Sequence, residues 1–267
     1  MDRLSPLLLA ATLLLGALLG GCDSFSGGSD EEFPVVEIPA PRSLSLSDSL
    51  HAIYRTDAGR LALRQMVDDS GRAAQQVRLP DPLVESLHHA LLRVYAAEDL
   101  EGRDAVVETH RIHTFPHRSV HKISVTPEEP VSAWVERWRD GRRFTGNRAV
   151  DTVLREYDLQ LHAYNVYSHF ESARLRSEVP LNTLALSDRF EGIAGVKYAD
   201  PGGFVGDGND IEATLGGNFV ELRYSVGFGD CPSGCISRHY WTFRVSENGR
   251  VTFQGESGAP LLSESTE

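Results

Sequence analysis

Three β-strand patterns follow one another near the C-terminus, and they restrict the fold more than any other feature of the chain. They cover Phe219–Gly227, Ile236–Val245 and Arg250–Phe253. The last two are separated by Glu247-Asn248-Gly249, and Asn-Gly is the strongest short signal for a β-hairpin. The sequence therefore predicts a three-stranded antiparallel meander.

Helical patterns occupy much of the first 160 residues. One helix is predicted to begin at Asp81-Pro82, because proline is favoured in the first turn. A second helix is predicted from Thr126 to a stop at Gly141, because Thr126 and Glu129 have the spacing of a capping box. A third follows Asn147, and less regular helical spacing covers residues 47–68.

Residues 105–115 and 119–125 have strand patterns and are predicted to form a hairpin around Pro116. Helical and strand-rich segments are thus largely separate along the chain. This arrangement indicates an α+β fold with N-terminal helices, a hairpin and a C-terminal meander.

Residues 174–201 have a strand, helix, strand pattern in which Asn182 is placed to cap the helix. This pattern resembles the second half of a ferredoxin-like domain and is similar to the ending of subtilase propeptides. The resemblance implies a βαβ unit. We predict one α+β domain over residues 46–260, with a possible sub-boundary near 145–158 and a polar tail over 261–267.

The N-terminus has the order of a signal peptide: Arg3, an apolar stretch over Leu7–Leu19, and small residues before a cysteine. The stretch is too short to span a bilayer, which needs ~20 helical residues. Leu19-Gly20-Gly21-Cys22 resembles the lipobox of bacterial lipoproteins. That resemblance implies removal of residues 1–21 and lipidation of Cys22; an ordinary secretory signal is the alternative.

A lipid on Cys22 implies a protein of the bacterial cell envelope, held outside the cytoplasm by its anchor. Residues 22–45 are rich in Ser, Gly, Pro and acidic residues and are predicted to be a flexible tether. Asp23 is compatible with inner-membrane retention and, with the acidic residues that follow, with export to the surface. The sequence leaves the choice between inner membrane, outer membrane and cell surface open.

Charge and cysteine content narrow the partners. The formal net charge is −12, which argues against nucleic acid as a partner and leaves an envelope protein or a glycan.

If Cys22 is acylated, Cys231 and Cys235 remain as a pair in an oxidising compartment. A disulfide that closes one sharp turn is predicted, and a redox pair or half of a metal site is the alternative.

A histidine cluster is the first candidate site. In the predicted hairpin, His113 and His121 lie on facing strands and become cross-strand neighbours that are able to bind zinc. His110 falls on the opposite face and His117 in the turn. This cluster supports an alternative function, a metal-dependent extracytoplasmic hydrolase, whereas packed or half-exposed histidines are the structural alternative.

An acidic, glycine-rich loop is the second candidate. Asp207, Asn209, Asp210 and Glu212 present the oxygen ligands that Ca²⁺ prefers. They support a further alternative, a calcium-stabilised interaction module. A surface turn built from turn-forming residues explains the same composition.

The last candidate is an aromatic patch on the meander. Tyr240 and Arg244 share a strand face, and Tyr224 on the adjacent strand is predicted to join them as an exposed ligand-binding patch. A solvated sheet face is the alternative. No segment combines a nucleophile, a base and an orienting group. The prediction is a lipid-anchored, non-enzymatic binding or structural domain without an obligatory cofactor.

Overall fold

A computed structural model describes residues 35–42, 44–68, 72–129 and 132–261. The lipobox and Cys22 lie outside the described residues, as does most of the predicted polar tail. The helices are α1 Asp48–Asp68, α2 Asp81–Tyr95, α3 Glu136–Arg139, α4 Arg148–Glu156 and α5 Thr183–Glu191. The strands are β1 Lys122–Pro127, β2 Gln160–Val166, β3 Glu171–Arg176, β4 Val196–Asp200, β5 Asp210–Leu215, β6 Phe219–Phe228, β7 Ser237–Ser246 and β8 Val251–Gly258.

The first sheet has the strand order β2-β3-β1-β4, with every neighbouring pair antiparallel. Along the chain its elements follow as β1, α3 and α4, β2, β3, α5, β4, which is the ferredoxin-like βαββαβ order. Strands β3 and β4 flank β1 and run parallel to each other, and α5 connects them. The predicted βαβ unit is therefore confirmed, and the structure extends it to the complete ferredoxin-like topology.

Capping and alternation explain this unit. The Asn182 side chain accepts hydrogen bonds from the N–H groups at the start of α5, as predicted, and Asn147 caps α4 in the same way. The two helices bury apolar residues against one sheet face, where they form a hydrophobic cluster. Its largest fully buried side chains are Trp138, Phe190, Ile123 and Leu154.

The second sheet has the order β5-β6-β7-β8 and contains the predicted meander as β6, β7 and β8. Its fourth strand, β5, pairs with β6. Helices α1 and α2 cover one face of this sheet, where Leu61, Leu87, Phe243 and Tyr224 belong to a second hydrophobic cluster. The α+β fold with a C-terminal antiparallel meander is therefore confirmed.

The predicted hairpin around Pro116 is wrong. Ala105–Thr109 form a π-helical turn, and only the second segment is a strand, β1. The N–H of Thr114 donates to the Asp57 carboxylate and the N–H of Phe115 to Asp210. Side chains thus satisfy backbone donors that a hairpin would have paired with a strand.

The predicted helix from Thr126 to Gly141 is also largely wrong. Thr126 lies in β1 opposite Tyr198 of β4. Among the described residues of this segment, helical structure is limited to a short 3-10 turn over Ala133–Val135 and to α3. Pairing within the sheet outweighed the local capping-box pattern, because it satisfies the backbone along the whole strand.

The tether does not extend to residue 45. Val36 and Ile38 are buried in the cluster beneath the second sheet. The Ser86 hydroxyl donates to the Val36 carbonyl, and the Arg93 guanidinium donates to the carbonyls of Pro39 and Ala40. The described residues from 35 onward belong to one compact unit, and 145–158 lie within it.

Candidate functional site

A cleft of about 490 Å³ separates α1 from the outer face of the first sheet. This volume falls in the range of ligand-binding pockets in proteins. Helix α1 lines one side, and the segments 116–121 and 200–204 line the ends. We call it the α1 cleft.

Strand alternation sets the chemistry of the cleft floor. Because Ile123 and Leu175 point into the core, Lys122 and Ser124 on β1 and Arg174 and Arg176 on β3 point outward. The register places Lys122 directly opposite Arg176 and Ser124 directly opposite Arg174. Cationic side chains of neighbouring strands therefore meet on one surface.

The α1 wall is held by a buried carboxylate. Asp57 is 1 % exposed and accepts hydrogen bonds from the Thr114 N–H at 3.1 Å and the Thr114 hydroxyl at 2.6 Å. Its other oxygen lies 2.6 Å from Nδ1 of His113. A Cβ at Gly59 would come within 2.5 Å of Pro180, so this glycine permits the close approach of α1 to the ferredoxin-like unit.

The far end of the cleft is closed by two segments bonded to each other. Ser119 N–H donates to the Gly202 carbonyl at 3.2 Å, and Phe204 N–H donates to the Pro116 carbonyl at 2.9 Å. Gly203 adopts φ +150°, and a Cβ there would collide with the carbonyl of His117. The cleft is therefore preformed by backbone contacts.

Five cationic side chains line the α1 cleft, against two carboxylates, Glu178 and Asp200; the cations are Arg55, Arg60, Lys122, Arg174 and Arg176. Of these, Arg176 lies 3.9 Å from Glu178, and Arg60 lies 3.7 Å from Asp57. The other three have no ion pair within the described part of the chain. The cleft is thus positive in a strongly acidic protein.

His121 lines the cleft as a neutral ring. Burial is the main cause that lowers its pKa, and Arg176 and Arg60 act in the same direction. These effects outweigh the hydrogen bond to the Ser177 carbonyl and the charge of Glu178, which raise the pKa. Nδ1 is 3.0 Å from that carbonyl and is therefore the donor, which leaves Nε2 as an acceptor. Nε2 lies 3.2 Å from the Thr56 hydroxyl, whose one proton is shared with the Ala52 carbonyl at 2.9 Å. Both ring nitrogens have protein partners.

The hairpin that would have aligned His113 and His121 as a zinc pair is absent. His113 is bound to Asp57, and His121 is bound to Thr56 and Ser177. His110 packs on Trp241 and His117 on Phe115. No group of three or more potential ligands among the described residues is placed to hold a metal ion.

The predicted calcium ligands are also placed differently. Asp210 and Glu212 belong to β5, not to a loop, with Asn209 just before it. Each of the three carboxylates contacts an arginine: Asp207 contacts Arg238, Asp210 contacts Arg64, and Glu212 contacts Arg223. Each of the predicted carboxylate ligands is therefore paired with an arginine of its own.

The predicted aromatic patch divides between two faces. Tyr224 lies opposite Trp241 and is 2 % exposed, so it is a core residue. Tyr240 and Arg244 lie on the outer face, where Tyr240 packs under the Arg223 guanidinium. Cross-strand register, which the sequence does not display, decides which face each tyrosine takes.

The cysteine prediction is confirmed: the sulfur atoms of Cys231 and Cys235 are at disulfide-bonding distance in the turn between β6 and β7. The carbonyl of Cys231 accepts the Asp207 N–H, and the Cys235 N–H donates to the Asp207 carboxylate. The pair thus fixes the turn against the segment that precedes β5.

Within the described ranges, none of the helices combines the length and apolar character needed to cross a membrane. Comparisons of the chain with models of protein families, with curated proteins and with solved structures found no match.

Proposed function

We propose that this chain is a lipid-anchored protein of the bacterial cell envelope whose extracytoplasmic domain binds a ligand in the α1 cleft. The anchor is inferred from Leu19-Gly20-Gly21-Cys22. The binding role rests on one observation, a cleft of about 490 Å³ whose far end is closed by backbone hydrogen bonds. A site formed before binding loses little entropy when the ligand enters.

Anchoring is tested with the full chain expressed in a bacterial host. We expect it in the membrane fraction, with the mass of a lipid on its N-terminal cysteine. Cys22→Ser should abolish the lipid mass. An unlipidated wild-type chain released to the medium would contradict the anchor and leave the binding role to its own test.

Binding is tested by thermal unfolding of the purified chain with a small-molecule extract of the bacterial envelope. Ser124→Trp places an indole on the cleft floor, and Thr242→Trp is the matched control on the outer face of β7. We expect the extract to raise the Tm of the wild type and of Thr242→Trp but not of Ser124→Trp. An equal response of all three chains would contradict binding in the cleft.

A further inference from the structure

We infer that the ligand of the α1 cleft is a small polyanion that carries phosphate or carboxylate groups. The inference rests on the proposed function, because it assigns a ligand class to the same cleft. Its basis is the juxtaposition of Arg174, Arg176 and Lys122 on the floor with Arg55 and Arg60 on the helix wall.

The floor contains an unfavourable pair. Lys122 and Arg176 are directly opposite on neighbouring antiparallel strands, where like charges destabilise a sheet. Arg174 lies two residues before Arg176 on the same face of β3, so its charge adds to the repulsion. An anion bound between these side chains would turn the repulsion into attraction, so the arrangement suits an occupied site.

The rest of the molecule has the means to neutralise such charges. The chain has 38 acidic and 26 basic residues, excluding histidine. Even so, Arg55, Lys122 and Arg174 have no ion pair with any described residue, although several arginines elsewhere do. Of the two carboxylates in the cleft, Asp200 accepts the Gly202 N–H at 2.8 Å and holds its own loop.

Neutral groups in the cleft complement the cations. The Ser119 Oγ accepts the N–H groups of His121 at 3.3 Å and Lys122 at 3.0 Å, so its own proton is free to donate to a ligand. Arginine forks bind carboxylate and phosphate oxygens with two parallel hydrogen bonds. A volume of about 490 Å³ limits the ligand to a small molecule or one headgroup.

Calorimetric titration of the full chain in detergent with pyrophosphate tests the inference. We expect saturable binding that weakens as salt rises. Arg174→Gln and Lys122→Gln should each lower the affinity about tenfold, because each removes one charge-assisted contact. Arg174→Lys should retain more affinity than Arg174→Gln. Arg223→Gln, on the outer face of the second sheet, is the matched control and should bind as the wild type does.

Two sources of the anion are distinguished by a parallel titration with dioctanoyl phosphatidic acid. Tighter binding than pyrophosphate, with the same sensitivity to Arg174→Gln, would indicate a lipid headgroup. Tighter binding of pyrophosphate would indicate a free polyanion.

The inference is overturned if neither anion binds, or if Arg174→Gln and Arg223→Gln weaken binding equally. If the envelope extract still stabilises the chain in a manner that Ser124→Trp abolishes, the cleft binds a ligand of another class and the proposed function stands. If that response is missing as well, the proposed binding role falls with the inference.

Discussion

The two sheets use similar residues on their outer faces but arrange them in opposite ways. In the second sheet, acidic and basic residues face each other: Glu212 lies opposite Arg223, and Glu221 lies opposite Arg244. Both pairs form ion pairs. In the first sheet, Lys122 lies opposite Arg176.

The outer face of the second sheet thus pairs its charges within the protein, whereas the outer face of the first sheet brings like charges together. Opposite charges across strands stabilise the second sheet without any partner. The first sheet keeps its positive charge available inside a walled cleft, where low-dielectric surroundings strengthen the field. A net charge of −12 says nothing about either face, since the arrangement of charges decides what each attracts.

The largest expected effect concerns the cores beneath the two sheets. Phe190→Ala in the first and Phe243→Ala in the second should each lower the free energy of unfolding by about 3–5 kcal/mol, because both side chains are fully buried. We expect a single transition by circular dichroism and by tryptophan fluorescence in denaturant. Two separate transitions would show that the sheets fold independently, and the comparison would then be between two domains.

Acid should act on the helices that cover the second sheet. Burial lowers the pKa of His88 on α2 to about 4, and His51, Arg55 and His89 act in the same direction. The unfolded chain takes up this proton near pH 6.5 and the folded chain only near pH 4. The free energy of unfolding should therefore fall by on the order of 3 kcal/mol as pH falls through this window.

Denaturant unfolding between pH 7 and pH 4 measures that loss. His88→Gln should reduce the fall in the free energy of unfolding between pH 7 and pH 4, because the side chain no longer titrates. His162→Gln, at an exposed position on β2, is the control and should leave the pH dependence of the free energy of unfolding unchanged. If His88→Gln shows the same pH dependence as the wild type, other residues cause the loss of stability in acid.

Lys122→Glu should make the first sheet resemble the second. It replaces the repulsion with Arg176 by a cross-strand ion pair, so the free energy of unfolding should rise by about 0.2–1 kcal/mol. Pyrophosphate affinity should fall at the same time. Lys122→Gln removes the charge without adding the pair and should give a smaller gain. A loss of stability in both variants would mean that Lys122 makes a stabilising contact.

A similarly small effect is expected in the second sheet. Glu221→Gln removes the ion pair with Arg244, whose atoms are 2.9 Å apart, and should cost about 0.5 kcal/mol. A double-mutant cycle with Arg244→Gln measures the coupling between the two residues. Pyrophosphate binding should not change in either variant. A change would show that the outer face of this sheet takes part in binding.

Local sequence patterns predicted the elements that depend on local chemistry. The Asn182 cap, the turn at Asn248-Gly249 and the Cys231–Cys235 pair follow from short spacings, and the structure contains all three. The prediction of a hairpin around Pro116 failed because the buried carboxylate of Asp57 binds the backbone of this segment. Asp57 is far from the segment in sequence, so no local pattern indicates this contact.

The α1 cleft was not predictable from sequence for the same reason. Lys122 and Arg176 are brought together by the pairing of β1 with β3, which no local pattern displays. The alternation of Arg174 and Arg176 around a leucine indicates an exposed strand face. It does not reveal that α1 stands over that face.

Helix α1 makes the cleft a property of the whole chain. Arg55 and Thr56 line the cleft, while Ala58 and Leu61 are buried with the second sheet. The Arg64 guanidinium on the same helix donates to Asp210 at the start of β5. A ferredoxin-like fragment cut from this protein would therefore lose one wall of the cleft, so the βαββαβ topology that supplies the floor is not enough to form the site.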